Sequence, residues 1–281
     1  MGTTVATLAQ RSGRLDTDGV DFGAFAARAL DPATLRCLRY MHDVEHHTMC
    51  YVRDLLVTSA HADPDVTAFL ATWTYEEHWH GDAIAQVLGV HGEQAGPERV
   101  ASLRRALPRT DRIRPLLYLV GSALSSHMVT VQMAWGAVNE WTAQAGYCRL
   151  AARAGHPVLT ELLRRIMKQE GRHIDFYTSQ AKQRLGGHPA AQRVTRRARQ
   201  RFWSPVGAGV MPPAEVRFLA DQRGERLTQT DRFGPETTER IQDGCRDIWG
   251  GRHRGARRGA RCPLRRLADP PPCPVARLGQ A

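Results

Sequence analysis

The chain has 281 residues, 42% hydrophobic and 24% charged, enough apolar material for one large or two small globular domains and too much for a wholly disordered chain. Its net charge is +11, but from Gly250 onward there are eight Arg and one acid, Asp269, so that segment carries +7 and the rest only +4. No nucleic-acid-binding motif accompanies the charge, so no nucleic-acid partner is expected.

The elements follow in chain order. Residues 1–30 read as a polar lead-in with one short helix near Phe22 to Ala29. The lead-in shows neither a charged-then-apolar signal nor an Arg-rich transit segment, and a cytoplasmic location is expected. Asp31-Pro32 starts the first long helix, with Asp as N-cap and Pro at the first helical position, and the helix runs to about Ser59. Asp63-Pro64 starts the second, which ends near Gly89. Residues 90–112 form a long connection holding a short helix from about Pro97 to Leu107. The third long helix spans about Ile113 to Ala154, with a break expected near Gly121 and Gly155 as its cap. Its stretch Leu116 to Val138 contains Ser122, Ser125, Ser126, His127 and Gln132. It reads as a bundle helix buried nearly all round rather than a membrane span. His156-Pro157 opens the fourth helix, which stops at Gly186-Gly187.

A fifth helix, about Pro189 to Trp203, carries Arg193, Arg196, Arg197, Arg199 and Arg201. It reads as a solvated basic face, with a docking surface for an acidic protein as the alternative. From about Asp221 apolar periodicity is lost and Arg, Gly and Pro dominate. Such a segment buries too little apolar surface to offset its ordering entropy. The chain thus divides into a lead-in (1–30), a helical domain (31–220) and a disordered tail (221–281). Cys37, Cys50 and Cys148 lie within helices and read as free thiols, and the six cysteines show no metal-ligand spacing.

Two Glu-x-x-His pairs carry the chemistry: Glu77 with His80 on the second helix, Glu170 with His173 on the fourth. Taking each helix at about 100° per residue places them on its apolar stripe. Glu45 lies in the stripe Leu38, Met41, Thr48, Val52, Leu55, and Glu77 and His80 in Val66, Leu70, Trp73, Ile84, Val87. Glu140 is bracketed by Met133, Gly136, Ala143, Tyr147 and Leu150, and Glu170 and His173 by Leu159, Leu163, Ile166 and Tyr177. Six ionisable groups therefore point into the core of a four-helix bundle.

An ionised carboxylate buried alone costs several kcal/mol or more, so it is paired or metal-bound. Four Glu against two His leave excess negative charge, and no Arg or Lys lies in any stripe. Two metal ions balance that charge. Buried Glu–His hydrogen bonds alone are the alternative, and they leave Glu45 and Glu140 unexplained. Asp43 and His46 share the i, i+3 spacing, but their phase turns them away from the stripe, and with His47 and His78 they read as solvated surface. Glu76 is about a quarter turn off the seam and reads as a residue behind the ligands or between helices.

The segment Thr74-Tyr75-Glu76-Glu77-His78-Trp79-His80-Gly81-Asp82 resembles the Glu-Glu-Asn-Arg-His-Gly-Asp segment of soluble acyl-carrier-protein desaturases. Gln169-Glu170-Gly171-Arg172-His173 resembles that family's Asp-Glu-Lys-Arg-His segment, and the order Glu, Glu-x-x-His, Glu, Glu-x-x-His is shared from about Leu38 to Leu185. The resemblance implies an all-α, ferritin-like four-helix bundle with a long crossover, an additional C-terminal helix and the disordered tail. It implies that Glu45, Glu77, His80, Glu140, Glu170 and His173 bind two irons, with manganese as the alternative metal. Glu77 and Glu170 would bridge, and Glu45 and Glu140 would be terminal.

The implied activity is dioxygen-dependent removal of hydrogen from a fatty-acyl chain. The implied partners are an acyl carrier protein or other small-substrate carrier, a ferredoxin-type electron donor and a second copy in a homodimer. Alternatives are a di-iron oxygenase that hydroxylates or N-oxidises a small metabolite, and a ferritin-like iron-binding or peroxide-handling protein. The chain departs from the family at two places. Ala143 stands where the family carries Thr three residues after the third-helix Glu, with Thr142 one residue short, and Gln169 stands where the family has Asp.

Overall fold

A computed structural model describes residues 10–222 apart from 203 and 205. Most of the segment read as a tail lies outside the described residues. The protein is all-helical there: α1 (Ala24–Ala27), α2 (Pro32–Leu56), α3 (Pro64–Val90), α4 (Gly96–Ala106), α5 (Arg109–Leu124), α6 (Met128–Ala154), α7 (Pro157–Leu185), α8 (Pro189–Phe202) and α9 (Pro213–Gln222).

The expected helix starts hold at atomic detail. The Asp31 side chain accepts from the Ala33 and Thr34 amides, with Pro32 in the first turn, and Asp63 does the same for Asp65 and Val66 ahead of α3. The His156 ring accepts from the Leu159 amide ahead of α7. Gly155, at φ +55°, ends α6 in the left-handed conformation that glycine adopts most cheaply.

Helices α2, α3, α6 and α7 pack in a closed ring: α2 on α3, α3 on α7, α7 on α6, and α6 on α2. Short connections make α2 with α3, and α6 with α7, antiparallel neighbours. Gly136 lets α6 and α7 approach closely, since a Cβ there would lie 2.3 Å from the buried Tyr177 ring. One apolar cluster contains Leu38, Met41, Ile84, Val87, Leu150, Leu163 and Ile166. A second contains Val52, Leu70, Trp73, Met133, Phe176 and Tyr177. On every bundle helix the six candidate ligands fall between the residues of these clusters. The site is therefore a polar layer between two apolar ones, shielded from water along the bundle axis.

Four expectations are corrected, the last at Cys148. The third long helix is interrupted not near Gly121 but at Ser125, whose backbone is extended, and α5 and α6 are separate helices. Three serines (Ser122, Ser125, Ser126) offer the backbone competing hydrogen bonds there, and the Ser125 hydroxyl accepts from the His127 amide. Nor is α5 buried all round, since Leu116, Leu117, Val120 and Leu124 are exposed. Third, Asp43 and His47 are buried and His46 half-buried, where solvated surface was expected; His78 is exposed as expected. The crossover is the cause. Helix α4 lies over that side of α2, where Arg99 makes a two-pronged pair with Asp43 (2.7 and 2.6 Å) and the Gly96 amide donates to His42 Nε2. Helix α5 is fixed to α2 by Arg53 and Arg114, which pair with Asp54 and Asp111.

Neither Cys37 nor Cys50 is disulfide-bonded, as expected. Cys148 is disulfide-bonded, against the expectation; helical phase reports burial and carries no information on redox state.

Candidate metal centre

All six predicted ligands are buried, none more than 6% exposed, and each comes from the middle of a bundle helix. Their side chains form two groups whose ligand atoms lie within 4.8 Å of one another: Glu45, Glu77, His80 and Glu170, and Glu77, Glu140, Glu170 and His173. Glu77 and Glu170 belong to both. The arrangement has the form of two adjacent cation sites sharing two carboxylates.

Both imidazoles are held the same way. His80 turns Nδ1 inward, 3.3 Å from Glu170 and 3.7 Å from Glu45. Its Nε2 faces outward, 2.8 Å from the side-chain Oε1 of Gln169. His173 turns Nδ1 toward Glu77 and Glu170, 3.2 Å from each, and its Nε2 lies 2.6 Å from Glu76. An outer acceptor on one ring nitrogen fixes the tautomer that offers the other to a cation. Gln169 thus orients a histidine. Glu76 is placed as expected, behind a ligand and between helices, and Arg172 from α7 balances its charge.

Two further groups meet the site without having been singled out by its motifs. The Tyr147 hydroxyl donates to Glu45 Oε1. Tyr147 lies in the same stripe as Glu140, and a buried phenol needs a partner, so phase alone pointed to it. The Gly13 amide donates to Glu76 and its carbonyl accepts from the Gln169 side chain, each at 3.3 Å, so one residue of the lead-in ties together the outer partners of both histidines. No periodicity signals that contact.

The donor set fits metal ions. Glu45 Oε2, Glu77 Oε1, His80 Nδ1 and Glu170 Oε1 are buried and satisfy no hydrogen bond. Orphaned buried atoms of this kind are costly unless something binds them. Hard carboxylate oxygens with two imidazoles suit iron or manganese. Among the described residues no Arg or Lys pairs with any of the four carboxylates, so the charge deficit read from the sequence is real.

Protons offset that deficit in the metal-free protein. Burial, with Glu45 and Glu170 nearby, pushes the Glu77 carboxyl well up; burial, Glu170 and Glu77 do the same to Glu140. For Glu170, burial is opposed and outweighed by the facing His173 and His80 imidazoles, which hold it below the usual carboxylate range. Burial works to lower both histidines, but the facing carboxylates win. His80 is raised well above its ordinary value, and His173 to about 10.

A pH dependence follows. Groups with raised folded pKa contribute stability that is present below their unfolded values and lost as pH rises through the folded ones. For Glu77 and Glu140 the loss begins above about 4.5, and for the histidines above 6.5. Glu170 has the opposite sign and costs stability as pH falls below its ordinary value. The metal-free protein is therefore expected to be most stable in mildly acidic solution and to lose melting temperature steadily toward pH 10. Because Glu77, Glu140, His80 and His173 all hold their protons more tightly than usual, metal uptake should release protons, measurable by calorimetry in buffers of different ionisation enthalpy. A flat stability profile with no proton release would contradict this account.

A cavity of about 770 Å³ opens onto the site. Glu45, Glu77, Glu140 and Glu170 form its polar end, and Leu55, Trp73, Met128, Val131, Gly136 and Ala143 are among its apolar walls. Neither histidine lines it. The carboxylate side of the centre therefore faces an apolar chamber, and the histidine side faces Glu76, Gln169 and the lead-in. Thr142, beside Ala143, is buried and donates back to the Val138 carbonyl of its own helix.

Searches against protein-family models, curated proteins and solved structures found no match to this chain.

Proposed function

We propose that the protein is a ferritin-like, two-metal oxidase that uses dioxygen to remove hydrogen from, or hydroxylate, an apolar acyl chain held in the cavity. One observation carries the reading: two overlapping ligand groups share Glu77 and Glu170 and open onto an apolar chamber through their carboxylates alone. The ions, iron with manganese as the alternative, would supply dioxygen activation, which amino-acid side chains do not. Glu77 and Glu170 would help to hold both. Glu45 with His80 would complete one site, and Glu140 with His173 the other.

The remaining residues support this chemistry. Gln169 and Glu76 orient the imidazoles, and Tyr147 fixes the rotamer of Glu45. The two apolar clusters keep bulk water from the polar layer, which strengthens every electrostatic interaction within it. The cavity volume lies in the range of small-ligand pockets. Most of the chamber wall is apolar, with Asp54, Arg114, Gln132 and Asn139 among the polar residues that also line it, and this balance favours an alkyl chain. The electrons would be delivered by a ferredoxin-type donor.

The second reading, a hydroxylase or N-oxygenase of a small metabolite, has one observation in its favour: the methyl of Ala143 stands on the cavity wall where the desaturase resemblance calls for a hydroxyl. One experiment separates the two. The protein is loaded with ferrous iron without oxygen, then given a reductase, ferredoxin and air with acyl thioesters of several lengths, aromatic acids or small amines. We expect oxygen uptake stimulated by acyl substrates and a desaturated or hydroxylated chain by mass spectrometry. Oxidation of amines or aromatics alone would reject the acyl reading, and many irons per chain without substrate oxidation would indicate storage.

A further inference from the structure

Helix α5 is amphipathic the wrong way round. Ile113, Leu116, Leu117, Val120 and Leu124 recur at helical spacing and form one stripe, and they are 51–83% exposed. The opposite side of α5 is anchored: Asp111 and Arg114 join the ion pairs with α2, and Ser122 bonds Ser59. The helix therefore cannot turn its stripe inward without breaking those contacts. The stripe is about 16 Å long.

The cavity opens beside it. Leu117, a stripe residue, and Phe202 and Val194 of α8 all line the cavity and are all exposed, so its mouth lies between α5 and α8. Both helices present positive charge there. Arg109 and Arg112 on α5, and Arg193, Arg197 and Arg201 on α8, are exposed. Helix α8 contains no acidic residue, and the only acid of α5, Asp111, is buried and ion-paired.

We propose that α5 and α8 form a docking face for an anionic lipid bilayer, from which an acyl chain enters the cavity directly. An exposed aliphatic stripe beside exposed arginines is the composition of a helix that lies in the membrane interface. No helix among the described residues is long and apolar enough to cross a membrane, so the contact is peripheral. An acidic carrier protein would be recognised by the arginines but leaves the bulky aliphatic groups unused. A second copy packed stripe to stripe would cover the cavity mouth. One helix face also falls well short of the roughly 800 Å² per partner that a stable dimer buries. The delivery role rests on the acyl-oxidase reading; the docking itself does not.

The test needs no turnover. Full-length protein, with and without iron, is floated with vesicles of phosphatidylcholine alone or rich in phosphatidylglycerol. We expect binding to the anionic vesicles only, weakening as salt rises. The pair Leu116→Glu and Val120→Glu, neither of which lines the cavity, should lower binding at least about tenfold with helicity and iron content unchanged, as should Arg193→Glu with Arg197→Glu. Wild-type protein that fails to float at low salt, or variants that float as well as wild type, would overturn the proposal. Light scattering that shows a wild-type dimer and a Leu116→Glu/Val120→Glu monomer would reassign the stripe to a second copy. Capture of an acyl carrier protein that the same variants abolish, without flotation, would reassign it to that carrier. Loss of docking would leave the iron and oxygen measurements standing, so the two readings fail separately.

Discussion

Replacing Glu77 or Glu170 with Ala is expected to take bound iron from two ions per chain to none, because each belongs to both ligand groups. Glu45→Ala and Glu140→Ala are expected to leave one ion, because each belongs to a single group. Metal analysis after anaerobic loading reads the difference directly. The pattern is more specific than loss of binding, since a misfolded bundle would lose both ions in all four variants. Stability of the metal-free variants should move the other way. Each Glu→Ala change removes a buried carboxyl from a cluster of four, and for Glu77 and Glu140 burial and the neighbouring carboxylates make ionisation costly. Glu77→Ala is therefore expected to melt no lower than wild type when both lack metal, most visibly above pH 7. Two ions retained by both Glu77→Ala and Glu170→Ala would remove the basis for a shared-carboxylate site.

Asp43→Ala is expected to do the reverse: to destabilise the fold and leave metal content unchanged. Asp43 is 1% exposed and holds Arg99 through two hydrogen bonds and His42 through a third. Burial pushes its pKa up, but His42 and Arg99 outweigh that and hold the carboxyl below its usual range. Removing one partner of a buried ion pair costs about 3–5 kcal/mol. Arg99 keeps some access to water, so the lower end, about 3 kcal/mol, is expected, or roughly 6–12 °C in melting temperature. The loss should be concentrated where α4 crosses α2, and hydrogen exchange should show that contact opening first. A variant that melts like wild type would mean that the crossover is held by other contacts. A variant that loses iron would mean that the crossover, and not the bundle alone, shapes the site.

These two expectations mark the boundary between what was written in the sequence and what was not. Helix starts at Asp31-Pro32, Asp63-Pro64 and His156-Pro157 are local, because a cap needs only its own backbone within three residues. Helical phase is local too. It placed Glu45, Glu77, His80, Glu140, Glu170 and His173 on apolar stripes, and stripes bury. Those two kinds of information, with the charge count of four Glu against two His, were enough to anticipate which six side chains share the core. They did not say what covers the outer faces. Asp43 and His47 are as buried as the ligands, because α4 and α5 of the crossover lie near them and a residue's own helix holds no record of that. The exposed stripe of α5 is the converse case: an apolar periodicity that reads as core in the sequence is turned outward by the ion pairs anchoring its other side. The contact of Gly13 with Glu76 and Gln169, 63 and 156 residues away, is likewise set by tertiary packing. Periodicity reports which side of an element is apolar. Which surface meets it, and whether any surface does, is decided by contacts between segments distant along the chain, and those exist only once the bundle has closed.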